Sequence, residues 1–134
     1  MTVEANDVIR TTAECWQLCR QGNTERAAGL LHPSFVHDDR RTGLANKLTN
    51  RDDTIVNNCL FIEMGFSIVL EPVAVHGGRL ALCRALFVDA TGNKIVTLQV
   101  LTLDEDGLRT SCVSFDENDL AGAMGEFEAL GRNP

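Results

Sequence analysis

The stretch FSIVLEPVAVHGGRLALCRALFVDATGNKIVTLQVLTLDEDGLRTSCVSFD, residues 66–116, decides the fold. Three turn signals divide it: His76-Gly77-Gly78-Arg79, Asp89-Ala90-Thr91-Gly92-Asn93-Lys94 and Asp104-Glu105-Asp106-Gly107. The runs between them have strand length, and strands joined this tightly run antiparallel. The stretch is therefore a four-stranded meander. In its first strand Ile68 and Leu70 share one face and Val73 and Val75 the other, with the parity changing at Glu71-Pro72. A proline within a strand marks an edge or a bulge, so the sheet is expected to bend there.

The next strand sets Leu80, Leu82, Leu86 and Val88, with Arg84 among them, against Ala81, Cys83, Ala85 and Phe87. The third sets Val96, Leu98 and Val100 against Ile95, Thr97, Gln99, Leu101 and Leu103. The last opposes Arg109, Ser111, Val113 and Phe115 to Leu108, Thr110, Cys112 and Ser114. A sheet covered by helices on one side is polar on the other. Both faces here are apolar, which points to a second face covered by another subunit or chain.

Upstream, Val8, Thr12, Cys15, Trp16 and Cys19 fall at helical spacing, with Asn6 or Asp7 as cap and Gly22 as the stop. A short helix follows, capped by Asn23 or Thr24, burying Ala27, Ala28, Leu30 and Leu31 and stopped by Pro33. Phe35-Val36-His37-Asp38 reads as a short edge strand. The polar residues from Asp39 to Asn50, anchored by Leu44 and Leu48, read as a long surface loop of the kind that forms lids. A third helix starts near Thr49 or Asn50 with Asp52 and Asp53 in its first turn, turns Ile55, Val56, Cys59, Leu60 and Met64 to the core, and stops at Gly65. Asp116 is expected to cap the last helix, with Asp119 in the capping-box position, a stripe of Leu120, Met124, Phe127 and Leu130, and Gly131 at its end.

The 134 residues, 44% hydrophobic and 23% charged, suit one domain spanning 1–134. A net charge of -7 without basic clusters argues against nucleic acid and anionic membrane partners. No apolar run is long enough to span a bilayer. Met1-Thr2-Val3-Glu4 lacks a signal-peptide pattern, so the simplest location is the cytoplasm. The odd set Cys15, Cys19, Cys59, Cys83 and Cys112 lies in apolar patterns and reads as free core thiols. His32, His37 and His76 are not at ligand spacing, and no metal or other cofactor is expected.

The order of elements resembles the NTF2-like, or SnoaL-like, α+β cone. The similarity is carried by Asp39-Arg40-Arg41-Thr42-Gly43-Leu44, by Leu70 to Leu82, and by Val113-Ser114-Phe115-Asp116-Glu117-Asn118-Asp119-Leu120. These words look like SnoaL-like domains of actinobacterial proteins, some attached to signalling or regulatory modules. The resemblance implies a cystatin-like cone: a curved antiparallel sheet of four to five strands wrapped on N-terminal helices, an internal cavity, a C-terminal helix, and homodimers packed through the sheet.

Enzymes of this fold include ketosteroid isomerases, polyketide cyclases and limonene-epoxide hydrolases. An isomerase of that kind needs a carboxylate base and a Tyr in its oxyanion hole, and this chain has no Tyr. His37 or Asp38, at the end of the first strand, could serve as base; a solvated strand end is the plainer role. Arg84 lacks the flanking acids of an epoxide hydrolase, and either pairs with Glu71 or meets an acidic ligand group. Trp16, Arg84 and Gln99 are the candidate ligand-binding residues, and His37, Asp38 and Arg84 the candidate catalytic ones. The reading is a dimeric domain that binds a small, mostly apolar ligand or a protein partner, without an assignable catalytic set. The alternatives are a small isomerase, cyclase or epoxide hydrolase, and a purely structural dimerisation module.

Overall fold

The computed structural model describes residues 3–43, 46–48 and 50–132. Of the positions named above, Met1, Thr2, Leu44 and Thr49 lie outside the described residues.

The meander forms as expected: β3 Ser67–His76, β4 Leu80–Val88, β5 Lys94–Leu103 and β6 Arg109–Asp116. They follow β1, Leu31–Asp39, and β2, Asn46–Leu48, in the chain. Between Pro72 and Ala74 the β3–β4 register slips by one residue, so the bend falls where the proline placed it. The inserted residue is Val73, and Val75 consequently lies opposite Ala81, on the side of Ile68 and Leu70 rather than across the sheet from them. A second slip, between Thr102 and Leu103, has a larger consequence. Arg109 pairs with Leu103 and Ser111 with Thr102, so Thr110 is the extra residue and Arg109 joins Cys112 and Ser114 on the inner face.

The sheet has six strands, more than the four to five expected, in the order β2-β1-β6-β5-β4-β3. Strand β1, Leu31–Asp39, is longer than the predicted Phe35–Asp38 and begins at a residue assigned above to the second helix. It tolerates Pro33 because its parallel pairing with β6 is irregular between Leu31 and Val36, where no ladder N–H is demanded of the proline. It is not an edge either: β2, Asn46–Leu48, pairs with its other side, so part of the predicted loop is a strand.

Helix α1, Asp7–Arg20, is capped by Asn6, whose Oδ1 accepts from the Ile9 N–H at 3.4 Å. The same side chain donates to the carbonyls of Gly77 and Leu80, each at 3.0 Å, and so ties the helix start to the β3–β4 turn. Helix α2, Thr24–Ala28, ends with Gly29 as its cap, well before Pro33. Helix α3, Arg51–Glu63, starts at Asn50 as its cap and is followed by Gly65 at φ 90°. Its orientation differs from the expected one. Thr54 and Ile55 are buried, whereas Val56, Leu60 and Met64 are 52–66% exposed.

Helix α4, Leu120–Arg132, is capped by Asp119, which accepts from the Gly122 N–H at 3.0 Å. Asp116 instead accepts from the Thr42 N–H and hydroxyl, and the helix runs through Gly131. Ala123, Met124, Phe127 and Leu130 pack on Leu80, Leu82, Leu98, Val100, Val113 and Phe115. This central part of the outer face, for which a covering subunit or chain was expected, is therefore covered by the chain's own last helix. A separate core, built of Val8, Cys15, Leu31, Phe35, Ala81, Cys83 and Leu101 among others, fills the inner side beneath α1 and α3.

Candidate functional site

Between α1, α3 and the inner face of the sheet the packing leaves a cavity of about 250 Å³. Its apolar wall is aromatic. Trp16 of α1 meets Phe87 of β4 edge-on at 5.9 Å between ring centroids, and Phe61 of α3 lies 5.6 Å from the same ring. Ile68, Ile95, Leu48 and Phe35 extend the wall. The remaining lining is polar: Asn57 and Asn58 of α3, His37, Asp39 and Arg41, and Thr97, Gln99, Arg109, Cys112 and Ser114 of the central strands. An apolar wall with a few placed polar groups is the usual make-up of a small-molecule pocket.

Strand register explains which groups meet. On adjacent strands His37 lies opposite Cys112, and Ser114 lies opposite both Asp39 and Gln99. The His37 Nε2 reaches the Ser114 hydroxyl at 3.2 Å. Burial works against a charged His37, but the ionisable Cys112 sulfur and then Asp39 outweigh it, and the imidazole pKa stands above its usual 6.5. Burial likewise opposes a Cys112 thiolate, and His37, Arg109 and Ser114 overcome it, holding that thiol below its usual 9.0. At the rim Arg41 clasps Asp39 with Nη2 to Oδ2 at 2.7 Å and Nε to Oδ1 at 2.9 Å. Burial would raise the Asp39 pKa, but those guanidinium bonds bring it below the usual range.

Three polar atoms in the cavity wall have no hydrogen-bond partner among the described residues: Trp16 Nε1, Thr97 Oγ1 and Arg109 Nε. All three residues are buried, Arg109 to 5% exposure. Leaving such groups unpaired is costly, so native interiors seldom do it. Arg109 Cζ sits 5.0 Å above the centroid of Phe35, which stacks the guanidinium without neutralising it. It forms no ion pair among the described residues, in which every other arginine pair is recorded at the surface or the rim.

The structure brings together three of the predicted residues, Trp16, His37 and Gln99. Asp38 and Arg84 are elsewhere. Asp38 projects to the other side of β1 and accepts from Arg40 Nε at 3.0 Å. Arg84 is on the outer face, 3.8 Å from Glu71 and 3.3 Å from Glu117, so the pairing with Glu71 is the role it takes. Arg109, Cys112, Ser114, Asn57 and Asn58 were not singled out from the sequence. For Arg109 the obstacle was the extra residue at Thr110. For the asparagines there was a signal, two adjacent amides inside the otherwise apolar run from Ile55 to Ile62. Among the described residues no group of three or more His, Cys, Asp or Glu is arranged to hold a metal ion.

No protein-family model and no curated protein matches the chain. Solved structures do match. A protein of unknown function with a cystatin-like fold from Methylobium petroleophilum superposes with a TM-score of 0.71 at 10% identity, over 88% of this chain and 80% of that one. A SnoaL-like family protein from Agrobacterium tumefaciens gives 0.61 at 11% identity, over 81% and 96%. The fold is the cystatin-like, NTF2-like cone. Another match is RV0760c of Mycobacterium tuberculosis in complex with estradiol-17beta-hemisuccinate, with a TM-score of 0.63, 9% identity and coverage of 86% and 97%. At these identities the likeness shows the fold alone. Within that fold the cavity described above is enclosed by the helices and the curved sheet.

Proposed function

We propose that this NTF2-like domain binds a small, mostly apolar ligand within the cone. The observation that carries the reading is the combination of an aromatic wall with three buried, unpartnered polar atoms in one cavity. A protein core without a ligand role would bury Trp16 for its area and give its N–H a partner. The bound steroid derivative of the RV0760c structure supports the reading, because it places a ligand on the same fold. At about 250 Å³ the cavity lies just below the usual range for drug-sized molecules, so the ligand is compact. Thermal unfolding against a panel of compact apolar compounds bearing acceptor oxygens tests this. Binders raise Tm with concentration as native-state linkage requires, and Ser114→Leu, which fills the cavity, removes the rise while folding normally. A panel without a single stabilising member sinks the reading.

An enzymatic reading is favoured by one observation: His37, hydrogen-bonded to Ser114 and flanked by Cys112 and Asp39, faces the cavity with Gln99 nearby. In that reading His37 is the general base or acid and Gln99 orients a carbonyl; Arg84 and Asp38 take no part, since neither lines the cavity. Turnover of a bound carbonyl or epoxide compound, abolished in His37→Asn, would establish it, and unchanged turnover in that variant would remove it. Homodimerisation through the sheet would use the part that α4 leaves open, where Val69 and the bulged Val73 of edge strand β3 are exposed. Sedimentation showing a monomer at micromolar concentration ends that proposal.

A further inference from the structure

The ligand reading above can be taken one step further at Arg109. A guanidinium keeps its charge at any physiological pH, and a buried charge requires a partner of opposite sign. On the outer face that rule is obeyed twice over by Arg84, with Glu71 and Glu117. On the inner face Arg109 is far more deeply buried, yet Asp39, the carboxylate in the same cavity, is clasped by Arg41 instead. The backbone of Arg109 is fixed: its N–H donates to the Leu30 carbonyl at 2.9 Å, and it is paired between Leu31 and Leu103. Its side chain is held against the ring of Phe35. The guanidinium is thus pre-positioned at the cavity with an N–H to give and a charge to balance.

The neutral unpartnered atoms belong to a different part of the ligand. Thr97 and Leu103, the β5 partner of Arg109, are six positions apart on one strand, so Thr97 and Arg109 line different parts of the same cavity. Trp16 contacts Phe87, which pairs with Ile95 at the Thr97 end.

We propose that the cavity is selective for compact carboxylic acids: Arg109 receives the carboxylate, the aromatic wall of Trp16, Phe61 and Phe87 receives the apolar body, and Trp16 Nε1 and Thr97 serve a second acceptor oxygen when the ligand has one. The inference rests on the ligand reading. It excludes ligands that are purely apolar or cationic, and it gives the buried arginine a carboxylate partner, which none of the described residues supplies.

The test uses matched pairs of acid and primary amide, 4-phenylbutyrate with 4-phenylbutyramide and cyclohexylacetate with cyclohexylacetamide. Isothermal titration calorimetry compares wild type with Arg109→Met, which keeps the stem over Phe35 and removes the charge. Hydrogen bonds to charged groups are worth about 1.5–3 kcal/mol, so the acid of each pair binds wild type about ten- to hundred-fold more tightly than its amide. In Arg109→Met that preference disappears. If acid and amide bind wild type equally, the ligand reading stands and the carboxylate selectivity is overturned. If no member of either pair binds, both are overturned. Should Arg109→Met fail to fold, the acid-to-amide ratio on wild type decides by itself, joined by Phe87→Leu, which trims the apolar wall: it weakens acid and amide alike and leaves their ratio unchanged.

Discussion

Each face of the sheet carries a strand-borne arginine, and the two are accommodated in opposite ways. Arg84 on the outer face is 37% exposed by side chain and has two carboxylates within 3.8 Å. Arg109 on the inner face is buried over Phe35 and lacks an acidic partner among the described residues. The surroundings differ in the same sense. Over Leu82, Leu98, Val100 and Val113 the outer face is sealed by α4 with apolar side chains meeting apolar side chains, whereas the inner face holds a partly polar cavity. A region packed to completion contributes stability, and one left with unpaired polar groups gives up some of it for another role.

Substitutions that treat the two faces alike can break this contrast. The largest effect is expected in the sealed layer. Leu82 is fully buried beneath α4, and Leu82→Ala should lower unfolding free energy by about 2–5 kcal/mol, measured by urea denaturation. The cavity wall should be more forgiving, because Ile95 already borders free space; Ile95→Ala losing as much as Leu82→Ala would contradict the division. Next comes Arg109→Met. An unpaired buried charge carries its desolvation cost without repayment, so urea should show a gain in stability, and a loss would mean that the guanidinium is satisfied within the protein. Arg84→Ala is expected to move stability by no more than about 1 kcal/mol, since partly exposed pairs are screened.

The pH dependence sharpens the inner half of the comparison. His37 has a folded pKa above its ordinary 6.5. Its contribution to stability is therefore complete below pH 6.5 and is lost as pH rises through the folded value. Asp39, whose folded pKa lies below 3.8, behaves in the opposite way: its contribution is present above pH 3.8 and is lost as pH falls through the folded value. Thermal unfolding across pH should show the neutral-side loss in wild type and not in His37→Phe. A profile that is identical in the two proteins would take His37 out of the charged network around Cys112.

Much of the cone was legible because its signals are local. The Gly77-Gly78 and Asp106-Gly107 turns, the Asn6, Asn23 and Asn50 caps and the Pro72 bend each follow from a few neighbouring residues. The failures are non-local. Strand β1 runs through Pro33 because its irregular pairing with β6, far away in sequence, makes room for it. The slip at Thr110 turns Arg109 inward, and a strict alternation of faces cannot anticipate a residue of excess. Helix α3 is the most instructive case. Apolar periodicity assigned Val56, Leu60 and Met64 to the core, yet they face outward while Asn57 and Asn58 line the cavity. Pattern rules presume an apolar interior, and they invert where the interior is partly polar. Of the candidate site, Trp16, His37 and Gln99 could be found as polar or amphipathic interruptions of apolar runs; Arg84 fitted the same description and belongs to a surface ion pair.

The chain has a single tryptophan, and its indole N–H is one of the unpartnered atoms in the cavity wall. A proton–nitrogen correlation spectrum therefore contains one indole resonance that reports on the centre of the account. Titration with 4-phenylbutyrate should move that resonance progressively to saturation, with backbone shifts confined to residues around the cavity. An indole signal that stays in place while shifts spread over the exposed face of α3 would contradict the claim that the inside of the cone is the binding site.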